Sequence, residues 1–151
     1  MRAVVQRVTS ASVRSRADSN ADFQTVGEIG AGLCVLVGVT HSDSAEQADK
    51  LAAKLAGLRV FDDADGVMNL GASEVGADFL VVSQFTLYGD TSRGRRPSWI
   101  EAARPEHAEP LVKRVVERLR ANGASVETGR FRTEMEVELV NDGPITLVID
   151  V

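Results

Sequence analysis

The chain has 151 residues, a formal net charge of −5 at pH 7, 44% hydrophobic and 5% aromatic residues, and one cysteine, Cys34. Scaling of surface with size gives a single domain, residues 1–151, that buries roughly 68–70% of its unfolded surface. A lone cysteine excludes disulfides, Cys-rich zinc sites and CxxC redox chemistry, and the acidic balance excludes a general polyanion coat, so a nucleic-acid partner must be met by a local basic patch.

Met1-Arg2-Ala3-Val4-Val5-Gln6-Arg7-Val8 meets a polar residue too early for a signal-peptide core, so a cytoplasmic protein is expected. Arg2 to Val13 alternates loosely and reads as a strand with one wet face, followed by a polar excursion over Arg14 to Gln24 and a returning strand over Thr25 to Ile29. Gly30 and Gly32 lead into Leu33-Cys34-Val35-Leu36-Val37-Gly38-Val39, a β-branched run expected to be buried on both faces. This run and Phe79–Val82 are far short of the roughly 20 residues that span a bilayer, so no membrane partner is expected. After Thr40 the period changes: Ala45, Ala48, Leu51, Ala52, Leu55 and Leu58 recur at helical spacing behind a capping box read as Asp43 and Glu46.

A short strand at Leu58–Phe61, an Asp/Gly turn and a strand over Asp78–Leu87 follow, and then an aperiodic loop from Gly89 to Pro97 that carries Arg93, Arg95 and Arg96. A second helix starts near Pro105 and stops at Gly123, with Pro110 either kinking it or delaying its start. The tail offers strands at Ser125–Thr128, Met135–Val140 and Ile145–Val151. Helices set between groups of strands without a regular βαβ rhythm indicate an α+β class.

Several chemistries fail. Gly30-Ala31-Gly32 is followed by Val35 where a dinucleotide fingerprint needs its third glycine, and no GxxxxGK[ST] loop is present. Aligning Gly66 to the turn glycine of a calcium loop puts Phe61 and Ala72 at ligand positions, so Asp62-Asp63-Ala64-Asp65-Gly66 reads as a polar turn. His41 and His107 read as solvated residues, and Cys34 as a small hydrophobe in an apolar strand. Neither a metal nor another cofactor is expected, and any catalysis must rest on hydroxyls, backbone groups or the substrate itself.

Two segments remain. Ser83-Gln84-Phe85-Thr86-Leu87-Tyr88-Gly89 ends a buried strand in hydrogen-bonding side chains, with alternation placing Ser83 and Phe85 on one face and Gln84 and Thr86 on the other. Asn141-Asp142-Gly143-Pro144-Ile145-Thr146 reads as a hairpin turn or, were its X–Pro bond cis, as a rigid pair of carbonyl acceptors. Together with Gly27-Glu28-Ile29-Gly30, Gly32-Leu33, Arg96-Pro97-Ser98 and the opening eight residues, these segments resemble the D-aminoacyl-tRNA deacylases over nearly the whole chain.

The resemblance implies a homodimer with a compact β-barrel-like sheet core and two main helices. It also implies an enzyme that hydrolyses the ester between a D-amino acid, or glycine, and the 3′-terminal ribose of tRNA. By that resemblance Ser83, Gln84, Phe85 and Thr86 form the catalytic pocket. The cis Gly143–Pro144 peptide reaches into the partner subunit's site and excludes L-side chains. Arg7 holds that loop, Asn141 and Thr146 belong to it, and Met135 lies in a segment that borders the terminal adenosine. Enantiomers carry the same groups, so discrimination has to come from shape. Thr86 has no His or Lys nearby in sequence to activate it, which favours water attack assisted by the ribose 2′-hydroxyl, with backbone N–H groups around Phe85 and Thr86 as oxyanion donors.

Two departures from the family pattern stand out: the Arg14–Gln24 excursion is longer than the usual tight hairpin, and Phe131-Arg132-Thr133-Glu134-Met135 replaces a glycine–alanine pair after the phenylalanine. The rival readings are a non-catalytic nucleic-acid-binding module, which the acidic total disfavours, and a small-molecule esterase, which lacks a nucleophile–base pair.

Overall fold

The computed structural model describes residues 1–151, and its strands are arranged around one long element, β1 (Arg2–Arg16). Alternation of apolar residues ends at Val13, yet the strand continues because its last turns are held by polar pairs. Arg14 reaches Glu136 at 2.6 Å, Arg16 pairs with Glu134, and the Arg16 guanidinium lies 4.7 Å from the centre of the Phe23 ring. Cross-strand ion pairs stabilise a sheet without leaving a hydrophobic period to read.

One side of β1 faces β2 (Gln24–Ile29) and β3 (Gly32–Gly38), both antiparallel to it. A single register runs from Arg2↔Gly38 to Ala11↔Ile29, so Gly30 and Ala31 interrupt the ladder without turning the chain. The other side of β1 pairs along its whole length with β8 (Glu134–Asp150). β3 then runs parallel to β6 (Asp78–Ser83), and β6 parallel to β7 (Val126–Thr128). β2 returns so close to β7 that a Cβ on Gly27 would meet the Thr128 carbonyl oxygen at 3.0 Å, which nearly closes the sheet into a barrel. At Gly32 the constraint is tighter, since a Cβ there would lie 2.1 Å from the Asp78 carbonyl oxygen.

The apolar run of β3 is buried on both faces, as its composition requires. Leu33, Val35 and Val37 join Phe79 and Val81 of β6 beneath the two main helices. Cys34 joins Leu80, Val82, Val8, Ala11, Val13 and Ile29 on the opposite side. Each such side chain contributes on the order of 1.5–3 kcal/mol of burial. The helices are α1 (Ala45–Ala56), which buries Ala48, Leu51, Ala52 and Leu55, and a longer one over Pro105–Ala121, which buries Ala108, Leu111, Val115, Val116 and Leu119.

Several sequence expectations are corrected. The α1 cap is Ser44 with Gln47, one residue later than Asp43 and Glu46. Asp43 instead accepts hydrogen bonds from the Met1 amino group at 2.6 Å and the Thr40 amide at 2.7 Å. Between β4 (Arg59–Asp62) and β6, the chain makes a short strand β5 (Met68–Gly71) and a single turn α2 (Ala72–Val75), neither long enough to show a period. The long helix is α3; Pro105 is its first residue and Pro110 sits inside it without delaying its start.

The polar turn stands as expected, with Asp63 Oδ1 accepting from the Asp65 and Val67 amides at 3.0 Å each. Most consequentially, the strand read over Asp78–Leu87 ends at Ser83, and the two strands read in the tail are one continuous β8. The α+β class stands, with a mixed sheet and two parallel pairs. No helix is long and apolar enough to cross a membrane.

Candidate active site

β6 enters the core apolar and leaves it at Ser83. Gln84 breaks the strand with φ −143° and ψ 82°, and its amide donates to the Val37 carbonyl at 2.7 Å, which anchors the exit to β3. Phe85–Tyr88 then form a 3-10 turn, with the Leu87 amide donating to the Gln84 carbonyl at 3.3 Å and the Gly89 amide to the Thr86 carbonyl at 2.9 Å. A strand alternation therefore does not sort Ser83, Gln84, Phe85 and Thr86 onto two faces. In a turn of this kind the first N–H groups, those of Phe85 and Thr86, have no preceding carbonyl to bond within the ladder.

Gly38 makes room for the turn: a Cβ on it would meet Leu87 Cβ at 3.0 Å and the Gln84 carbonyl oxygen at 3.1 Å. The Gln84 side-chain amide donates to Thr86 Oγ1, fixing both side chains.

Ser83, Gln84 and Phe85 line a cleft of about 770 Å³ together with Trp99, Phe131 and Met135. The first turns of α3 supply Pro105, Ala108 and Val112 as an apolar wall. Phe85 and Trp99 meet edge to face at 5.5 Å between ring centres and are 56% and 43% exposed, so the mouth of the cleft presents aromatic surface to solvent. No histidine, cysteine or lysine lines it. His41 faces the Ile100 carbonyl and His107 the Asp43 carbonyl, each at 2.8 Å and outside the cleft. Cys34 is buried, and burial pushes its thiol up to about 11. The hydroxyl of Tyr88, in the same turn as Thr86, is pushed up to about 12, first by burial and then by the charge of Asp43, so it stays protonated at neutral pH.

The second predicted segment lies elsewhere on the chain. β8 is in register with β1 at Gln6↔Thr146 and again at Val8↔Asn141, so four residues, Asp142 to Ile145, bulge out where β1 spends only Arg7. This is a protrusion in one strand, which corrects the hairpin reading. Asn141 ties its base, donating from Nδ2 to the Arg7 carbonyl at 2.9 Å and to the Ile145 carbonyl at 3.1 Å.

Arg7 is buried beneath the bulge; Nη1 donates to the Val60 carbonyl at 2.5 Å, and Nε lies 2.8 Å from Asp142 Oδ2 in an ion contact that is not an in-line hydrogen bond. Thr146 Oγ1 accepts from Gln6 at 3.1 Å. Gly143 and Pro144, joined by a cis peptide, sit exposed at the crest. Within one chain, then, Ser83, Gln84, Phe85 and Met135 share the cleft and Thr86 stands behind Gln84. Arg7, Asn141, Gly143, Pro144 and Thr146 share the bulge and do not line the cleft.

The profile of the family described as D-Tyr-tRNA(Tyr) deacylase matches residues 4–150. The chain belongs to the D-aminoacyl-tRNA deacylase family. It is 59% identical over 150 residues to the D-aminoacyl-tRNA deacylase of Symbiobacterium thermophilum, covering 99% of this chain and 95% of that one. With the protein of the same name from Thermotoga petrophila it shares 52% over 150 residues, covering 99% and 97%.

Among solved structures, a c-Myc DNA unwinding element binding protein superposes with a TM-score of 0.89 at 33% identity, covering 100% and 99% of the two chains. A probable eukaryotic D-amino acid tRNA deacylase superposes with a TM-score of 0.79 at 18% identity, covering 99% and 98%, which shows a shared fold.

The sequence pointed to the Phe131–Met135 segment, which lines the cleft, but not to Trp99 or the α3 wall. Trp99 had a signal, being one of few aromatics in the chain and lying just beyond the arginine loop. The α3 residues had none, because Pro105, Ala108 and Val112 look the same whether a helix face covers a core or a cleft.

Proposed function

We propose that the chain hydrolyses the ester joining a D-amino acid, or glycine, to the 3′-terminal ribose of tRNA, and rejects L-aminoacyl-tRNA by shape. The observation that carries this reading is the cleft at the end of β6. Ser83, Gln84 and Phe85 line it in a chain that is 59% identical over its length to a named D-aminoacyl-tRNA deacylase. The terminal adenosine fits its apolar and aromatic wall, and the ester lies at the Gln84–Thr86 turn. The N–H groups of Phe85 and Thr86 act as oxyanion donors, each such donor being worth roughly 10²–10³ in rate.

Thr86 Oγ1 is already held by Gln84, no histidine or lysine lines the cleft, and its one carboxylate, Glu134, is engaged by Arg16. Attack therefore falls to water, with the ribose 2′-hydroxyl assisting, and the side chains position. Thr86→Ala accordingly retains activity within about tenfold, whereas a covalent route would lose it.

The chiral filter is assigned to Gly143 and Pro144 of a second copy. They project from their own chain and do not line its own cleft, and their carbonyls would face the substrate's ammonium and wall off an L-side chain. A dimer is supported by β8 itself: it pairs only with β1, and its 17 residues leave Val137, Val140 and Val148 exposed by 37%, 57% and 66%. An uncovered edge of that length invites pairing with a second chain. The activity places the protein in the cytoplasm, with its tRNA.

Release of amino acid from matched D-Tyr-tRNA and L-Tyr-tRNA tests the reading. D-release at least a hundredfold faster is expected; equal rates, or none with D-Tyr-tRNA, overturn it. A strictly monomeric protein that still sorted enantiomers would overturn the cross-subunit filter.

The solved relative named for DNA-element binding favours a second reading, a non-catalytic nucleic-acid module, since one fold can host both roles. Binding of RNA without any ester hydrolysis would select it.

A further inference from the structure

The wall of the cleft is largely apolar, but three formal charges stand in its lining: Arg104, Arg132 and Glu134. Glu134 is taken up by Arg16. Neither Arg104 nor Arg132 makes a side-chain hydrogen bond or an ion pair, although the chain as a whole is acidic. Both are exposed at the mouth.

The backbone of Arg132 is itself unusual, with φ +60°, the only positive φ at a non-glycine residue. A turn that needs the left-handed region accepts glycine without cost, so an arginine there is not explained by the turn. The turn is also firmly seated. Thr133 Oγ1 donates to the Arg130 carbonyl at 2.9 Å, and its oxygen lies 2.6 Å from that of the buried Ser15. Arg104 precedes α3 and its side chain plays no capping part. Its guanidinium is therefore free of structural duty.

Two unpaired guanidiniums beside an apolar, aromatic-lipped cleft match a base joined to a phosphate better than a neutral nucleoside. We infer that Arg132 and Arg104 clamp the phosphodiester on the 5′ side of the terminal adenosine, and so gauge whether the cleft holds the end of an RNA chain. The inference rests on the nucleotide reading of the cleft given above. A guanidinium suits the task, because its planar fork can engage two phosphate oxygens at once.

The test is equilibrium binding of the trinucleotide 5′-CCA-3′ and of adenosine to the full chain and to Arg132→Gly, Arg132→Lys and Arg104→Ala. Glycine keeps the left-handed backbone, so Arg132→Gly removes charge without straining the turn. It is expected to weaken CCA binding by about 10-fold to 100-fold and leave adenosine unchanged. The slope of log K against log salt should fall in magnitude by about 0.7, the value for one single-strand phosphate. Arg104→Ala should act in the same direction, and Arg132→Lys should retain part of the affinity and the full slope.

The clamp is overturned if Arg132→Gly and Arg104→Ala bind CCA with unchanged affinity and slope, or lose adenosine and CCA equally. Because the readout is binding, it is separate from the deacylation assay. Absence of D-Tyr-tRNA hydrolysis with the salt-dependent CCA difference intact would sink the proposed activity and leave the clamp standing.

Discussion

Asp142 Oδ2 lies 2.8 Å from Nε of Arg7, so the charge that steadies the exposed bulge comes from a guanidinium that is only 7% exposed. The two partners differ in what else they do. Arg7 also donates to the Val60 carbonyl at 2.5 Å, whereas Asp142 has a half-exposed side chain and serves the bulge alone. Arg7→Met should cost about 1–3 kcal/mol of stability through the unsatisfied carbonyl and lost packing. Asp142→Asn should cost about 1 kcal/mol or less. Both should lower deacylation of D-Tyr-tRNA, because both loosen the Gly143–Pro144 crest. Urea denaturation alongside the deacylation assay checks the pair; equal stability losses with unchanged activity would contradict it.

Asp49 bridges α1 to α3 through Arg114 and Arg118, with bidentate contacts of 2.7 and 2.7 Å to the first and 2.9 and 3.2 Å to the second. The Arg114 hydrogen bonds first, and then those of Arg118, hold its carboxyl well below the usual carboxylate range. The folded state thus binds the proton less readily than the unfolded chain. The stability it contributes is present above the unfolded value near pH 4 and is lost as pH falls below it. In acid-unfolding curves Asp49→Asn should be less stable than the parent at neutral pH, and the gap should close below about pH 4.

Two glycines should respond differently to alanine. At Gly32 the new Cβ would lie 2.1 Å from the Asp78 carbonyl oxygen, a backbone atom held by the β3–β6 ladder. At Gly89 it would lie 2.4 Å from Cζ3 of Trp99, the outer part of a side chain 43% exposed. Gly32→Ala should yield little folded protein. Gly89→Ala should fold with nearly the parent melting temperature but displace Trp99 from Phe85, raising KM for aminoacyl-tRNA by several-fold. Thermal melts and tryptophan fluorescence check both.

Cys34 is 2% exposed and its thiol is pushed up to about 11 by burial. At pH 8 the folded protein should therefore resist iodoacetamide and aromatic disulfides for hours. The same reagents should label it stoichiometrically in 6 M guanidinium chloride, as mass spectrometry would record. Rapid labelling of the native state would show that β3 opens.

What the amino-acid order determined is local. Apolar runs marked β3 and the core of β6, helical spacing marked α1 and α3, and the segments at 83–89 and 141–146 identified the family. Each depends on neighbours within a few residues, so each is readable along a line. The α1 cap missed by one residue because Asp43 is taken by the distant Met1 amine.

Tertiary structure alone decided that the chain leaves β6 at Ser83, because the Gln84 amide bonds the Val37 carbonyl across the sheet. It alone decided that 142–145 is a bulge, since a bulge is defined by counting residues between the register pairs Gln6↔Thr146 and Val8↔Asn141, which join remote parts of the chain. The cleft walls on α3 and the separation of the two predicted site groups belong to the same category. They arise from which surfaces meet, and pairing between remote segments leaves no period in the sequence that it joins.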